Sequence, residues 1–158
     1  MALNLDSKKV VVEEVAQFAA KAYSAVAAEY RGLTVAEMTE LRKNARETGV
    51  YLRVVKNTLA KRAVTGTEFE CMQEGLVGPL VLAFSMEDPG AAARLISGFA
   101  KNHNKLVAKV VAISGQVYGA NELERLAKLP TRDQGISLLM SVMKAPVEKL
   151  VRTLAAVK

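Results

Sequence analysis

Short apolar runs alternate with amphipathic segments from the start of this chain to Leu129-Pro130, and beyond that point the period changes. No other feature constrains the fold as much. Apolar residues recurring every three or four positions mark one buried stripe of a helix, whereas continuous or alternating runs of four to eight mark strands. Val11, Val15, Phe18 and Ala22 form a first helical face, with Asp6 or Ser7 as the expected N-cap. Tyr23 to Tyr30 reads as a buried strand of small residues, and Arg31-Gly32 turns the chain. Thr34 with Glu37 three residues on is a capping box, opening a helix with Met38, Leu41 and Ala45 inward and Gly49 as its stop. Val50 to Val55 alternates, placing Val50, Leu52 and Val54 on one face and Tyr51, Arg53 and Val55 on the other. Asn57 or Thr58 then caps a helix that buries Leu59 and Ala63 and closes at Gly66.

The second half repeats the pattern. Thr67 with Glu70 is a further capping box, for a short helix. Val77 to Phe84 reads as a strand with Pro79 at its start or edge. Asp88-Pro89 is an expected N-cap and first helical residue, ahead of a stripe of Ala92, Leu95, Ile96 and Phe99. Leu106 to Ile113 is the clearest strand, and Ser114-Gly115 turns it into a short run, Gln116 to Tyr118. Asn121 with Glu124 is expected to cap a last helix bearing Leu123, Leu126 and Ala127. Half the residues are hydrophobic, enough for a sizeable core. The expectation is a layered α/β domain over residues 1–130 with about four strands besides the short run.

Residues 131–158 differ. Ile136, Met140, Met143, Val147, Leu150, Leu154 and Val157 are spaced four, three, four, three, four, three, a sustained seam that Leu139 and Val151 widen. The pattern around Ile136, Leu139, Met140 and Met143 recurs eleven residues later at Val147, Leu150, Val151 and Leu154. Pro146 stands between the copies, so a kink or a restart is expected in a long amphipathic helix. Length, terminal position and repetition favour a partner in the groove over packing on the chain's own domain. From Gly135 on, basic flanks at Lys144, Lys149, Arg152 and Lys158 against one acid, Glu148, make that partner acidic at its rim. A membrane surface is the weaker alternative, because the charge is modest and the stripe carries no aromatic residue.

Charge is concentrated in one window. Arg42 to Arg62 holds seven basic residues and one acid, a net +6 that equals the net charge of the whole chain. These cations are interleaved with core-type residues, so they sit on folded structure and fit a polyanion. The alternative is a solvated basic face. The window spans two helix ends and a strand end, and the helix start near Thr58 adds free backbone amides suited to phosphate. Aromatic residues are few and Trp is absent, so base stacking is not the main mode of contact.

Enzyme chemistry has no candidate. His103 is the single histidine and reads as a surface or C-capping residue; Cys71 is the single cysteine and reads as a small buried side chain. Together they offer no metal site, and no glycine-rich phosphate loop occurs. No cofactor is expected. The start resembles no secretion signal and no run is long enough to span a membrane, so the expected location is the cytosol. Besides an assembly scaffold, a free-standing nucleic-acid-binding regulator dimerising through the terminal seam fits the same residues.

The stretch YRGLTVAEMTELRKNARETGVYLRVVKNTLAKRA resembles the bacterial stalk-base family of the large ribosomal subunit, its tenth protein, as do GPLVLAFSMEDPGAAARLI and KLVRTLAAVK. The likeness covers nearly the whole chain. It implies an α/β domain that binds large-subunit ribosomal RNA beside the eleventh protein of that subunit. It also implies a mobile terminal helix carrying dimers of an acidic stalk protein, which recruit translational GTPases, and a ribosome-bound, cytoplasmic, non-enzymatic protein. Members of the family can also repress their own messenger. Carried over by residue, the RNA-binding set is Arg31, Arg42, Arg46, Arg53, Lys56, Asn57, Lys61 and Arg62. The dimer-binding set is Ile136, Leu139, Met140, Met143, Val147, Leu150, Val151 and Leu154. The eleven-residue repeat, with the chain ending at Lys158, implies two dimers and not three.

Overall fold

A computed structural model describes residues 4–156. Helix α1 (Leu5–Lys21) leads into strand β1 (Ser24–Glu29), then α2 (Val35–Glu47), β2 (Val50–Val54) and α3 (Asn57–Val64). A 3-10 turn (Glu70–Gly75) precedes β3 (Leu80–Ser85), α4 (Ala91–Asn102), β4 (Val107–Ile113) and β5 (Gln116–Gly119). A second 3-10 turn (Ala120–Glu122) runs into α5 (Leu123–Ala127), and α6 (Arg132–Ala156) ends the described chain. The expected α/β architecture is present, as one five-stranded sheet in the order β2-β3-β1-β4-β5 with every neighbouring pair antiparallel.

The sheet is buried on both sides. Under α1, α3 and the first 3-10 turn, Ala25, Ala27, Leu82, Phe84 and Ala112 meet Val15, Leu59, Ala63, Phe69 and Met72. Under α2, α4 and α5, Val26, Ala28, Val81, Ala83 and Val111 meet Leu41, Ala45, Ile96, Phe99 and Leu123. The small residues of central strand β1 let both layers approach closely. Ser24 and Ser85 are the buried polar residues of this core, and both hydroxyls are used: Ser24 Oγ donates to the Pro89 carbonyl and Ser85 Oγ accepts from the Ala92 amide.

Those bonds correct one expectation. Helix α4 starts at Ala91, not Pro89, because Ser85 of the preceding strand supplies the cap while Asp88 turns to Arg94. Helix α1 is capped by Asn4, two residues before Asp6, which falls in the first turn where its charge suits the dipole. Neither Asn57 nor Thr58 caps α3; Lys56 holds that position and has no side-chain acceptor. Thr67 and Glu70 form no capping box: the Thr67 hydroxyl donates to the Val64 carbonyl, and Glu70 accepts from the Gly66 amide at the end of α3. Asn121 caps nothing, since the chain passes through a 3-10 turn into α5. The Thr34–Glu37 box is present in both directions.

Helix α6 runs without interruption through Pro146, so the helix does not restart there. Its own capping box pairs Thr131 with Gln134, each side chain accepting from the other's backbone amide at 3.3 and 3.2 Å. No described residue of α6 is buried.

Candidate nucleic-acid interface and partner helix

The basic window wraps the edge of the sheet. Strand β2 pairs with β3 alone, so its other edge is free. Helix α2 precedes it on one face and α3 follows it on the other, as their separate cores show. Arg42 and Arg46 are exposed on α2; Lys61 is half-buried and Arg62 exposed on α3. The helices that carry these two pairs therefore pack on opposite faces of the sheet, with edge strand β2 between them.

A different set meets at one end of the sheet. Strand β1 ends at Glu29, opposite Leu80 of β3 and Val107 of β4, and β2 ends at Val54, opposite Val81. Arg31 and Lys56 follow those strand ends and are exposed. The Asn57 side-chain amide donates to the Gly78 carbonyl at 2.8 Å, so this residue fastens the loop before β3. The uncapped start of α3 lies here too, its first amides free of any side-chain acceptor. Tyr30, Lys56, Asn57, Thr58, Gly78 and Pro79 line an open hollow of about 370 Å³.

Arg53 stands apart. Its guanidinium is ion-paired with Glu14 of α1 and donates to the Tyr51 hydroxyl at 2.9 Å, and that hydroxyl donates to Glu14 at 3.0 Å. Phe18 stacks on Tyr51 with ring centroids 3.8 Å apart. The hydrogen bond from Arg53, then that from Tyr51, holds the Glu14 carboxyl below the usual carboxylate range. Arg53 is thus committed to fastening α1 onto β2. The sequence pattern could not show this, since Glu14 lies on a different element.

His103 does end α4, and its imidazole also stacks on Phe99 and faces Glu37 at 3.3 Å. Hydrogen bonds from Thr34, backbone first, hold Glu37 below its ordinary value. Cys71 is exposed, not buried, because the segment is a 3-10 turn whose inward residue is Met72. Among the described residues no acidic, His or Cys group gathers in metal-binding geometry, and no helix is long and apolar enough to cross a membrane.

The seam of α6 faces outward along its described length. Ile136, Leu139, Met140, Met143, Val147, Leu150, Val151 and Leu154 are 49–71% exposed, and Leu138 and Val142 add apolar surface on another side. Val157, the last position of the seam, lies outside the described residues.

A cation-rimmed α/β body joined to an apolar helix that buries nothing is a part made for assembly. The family model described as Ribosomal protein L10 matches residues 3–101, and that of the Ribosomal protein uL10 C-terminal region matches residues 129–158. The large ribosomal subunit protein uL10 of Methylococcus capsulatus is 70% identical over 152 residues, which is 96% of this chain and 87% of that protein. The protein of the same name from Thioalkalivibrio sulfidiphilus is 70% identical over 154 residues, covering 98% and 88%. That of Alkalilimnicola ehrlichii is 60% identical over 169 residues, covering 100% and 97%. The chain belongs to the ribosomal protein L10 family. It is a ribosome-bound protein of the large subunit, found in the cytoplasm with ribosomal RNA and other ribosomal proteins, and it is not an enzyme.

Proposed function

We propose that this chain is the base of the ribosomal stalk. Its body attaches to large-subunit ribosomal RNA through the cations around β2, beside the eleventh protein of that subunit, and α6 carries dimers of an acidic stalk protein that bring in translational GTPases. The observation that carries this reading is the exposure of the whole described seam on a 25-residue helix that leaves its own domain uncovered. Eight large apolar side chains in water cost far too much to be left without a partner. The basic flanks Lys144, Lys149 and Arg152 suit an acidic one. The repeat across Pro146 gives two apolar copies, one per dimer. Repression of the chain's own messenger would use the same RNA-binding surface.

Native mass spectrometry of this chain co-expressed with the acidic stalk protein of its own organism tests the reading. The expected complex is one chain with four acidic chains. Val151→Asp, in the second copy, is expected to leave one chain with two. A bare monomer would overturn the proposal, and a homodimer would favour the free-standing regulator.

A further inference from the structure

Strand β4 carries a defect that aims a cation. In its pairing with β1, Ala28 stands opposite Ala108 and Ala27 opposite Val110, so Lys109 has no partner residue. Ala108 and Val111 point to one core and Val110 to the other, and Lys109 is the extra residue that shifts the alternation. Such a bulge redirects a side chain and is a built feature of a strand. Here it sends the Lys109 ammonium to Glu29 at 2.9 Å and to the Val77 carbonyl at 3.4 Å.

Those contacts tie Lys109 to the loop end of the sheet. Glu29 is also 4.0 Å from Arg31. Gly78, next to Val77, has φ +96°, and a Cβ there would stand 3.6 Å from the Lys109 ammonium. The carbonyl of that same glycine accepts from Asn57. Lys105 lies beside them: a Cβ on Gly32, the neighbour of Arg31, would stand 3.5 Å from the Lys105 stem. The acids nearby are Glu29, shared between two cations, and Glu37, which accepts from Thr34, faces His103 and also feels the charge of Lys105. Arg31, Lys56, Lys105 and Lys109 therefore leave a surplus of positive charge on one continuous surface. The helices that carry Arg42–Arg46 and Lys61–Arg62 pack on opposite faces of the sheet.

We infer that Lys105 and Lys109 complete the RNA-binding surface, taking backbone phosphates at the end of the sheet that also presents Arg31, Lys56 and Asn57. This rests on the reading that the body binds large-subunit RNA, and it locates the contact. Neither lysine falls in the residues matched by the family models. Glu29 competes with phosphate for Arg31 and Lys109, and yields them when RNA binds.

The test is binding of the full chain to large-subunit ribosomal RNA transcribed from its own organism, measured across a salt series. Lys105→Gln and Lys109→Gln are each expected to reduce the log–log salt slope by about 0.7–0.9, one phosphate contact apiece. Lys109→Arg should keep the slope, and Glu29→Gln should tighten binding by freeing two cations. If Glu29→Gln weakens binding, the Glu29–Lys109 pair is structural and the inference is wrong. Arg31→Gln and Lys56→Gln separate the two levels. If they lower the slope while the Lys105 and Lys109 variants do not, the inference alone fails. If none of the four lowers it, RNA binding at this surface fails as well. Loss of an acidic protein neighbour with RNA binding intact would also overturn the inference.

Discussion

Helices α4 and α6 carry the same kind of sequence and end in opposite circumstances. Helix α4 repeats Ala92, Leu95, Ile96 and Phe99 and buries every one of them against the sheet. Helix α6 repeats Ile136, Met140, Met143, Val147 and Leu150 and buries none. The difference lies in what the chain does next. Helix α4 returns to the sheet as β4, whereas α6 leaves the body after Pro130 with no strand to follow among the described residues. An apolar stripe states that a helix will be covered; connectivity decides whether the cover is its own chain or another.

Core truncation draws the sharpest line between the two regions. Phe84 is 1% exposed between Tyr51 and Phe69. Phe84→Ala should lower the stability of the body by about 3–5 kcal/mol through lost burial and a cavity. Met143→Ala, at a position 71% exposed, should leave it within about 0.5 kcal/mol. Urea midpoints of the two variants measure both. A loss at Met143 comparable to that at Phe84 would mean that α6 folds back on the body in solution, and the contrast would be gone.

A second substitution sharpens the contrast inside α6. Residue 146 as proline gives the Val142 carbonyl no amide to accept from, and proline in a helix interior costs about 3 kcal/mol relative to alanine. No packing of α6 on the body offsets this. Pro146→Ala should therefore raise the helical signal of α6 and slow amide exchange from 138 to 156, with the unfolding of the body unchanged. A joint rise in both would show the two regions unfolding as one unit.

Period made much of this legible. The strands, the inward residues of α2, α3 and α4, and the seam of α6 (though not its exposure) follow from spacing, and the Thr34–Glu37 box is complete within four residues. What escaped depends on partners distant in sequence. The cap of α4 comes from Ser85 across a turn, and the partner of Arg53 sits on α1. The faces chosen by α2 and α3 are set by how the chain crosses β2, which no local period records. The bulge at Lys109 is set by the register with β1; in the sequence Lys109 is only one polar residue within an otherwise apolar run, Leu106 to Ile113. Thr131 and Gln134 are a different case: their spacing signals a capping box as openly as Thr34 and Glu37 do.

The smallest effect concerns how the body fastens a helix that α6 has no means to imitate: among the described residues, no ion pair joins α6 to the body. Glu14 is held below the usual carboxylate range, first by Arg53 and then by Tyr51. A carboxyl whose value is depressed by folding stabilises the native state fully above its ordinary value, and that stabilisation is lost as pH falls through the lower native value. Both partners are about a third or more exposed, so solvent screens the pair and its contribution is modest. Glu14→Gln should lower stability slightly near neutral pH, with the deficit closing below the ordinary carboxylate range and shrinking in high salt. Urea midpoints of the two proteins across that range give the answer. Parallel curves at every pH would mean that α1 is held by its apolar contacts, Val11, Val15 and Ala19 among them, and by the Phe18–Tyr51 stack. The body would then be fastened, as α6 would be in its complex, by apolar contact without help from charge.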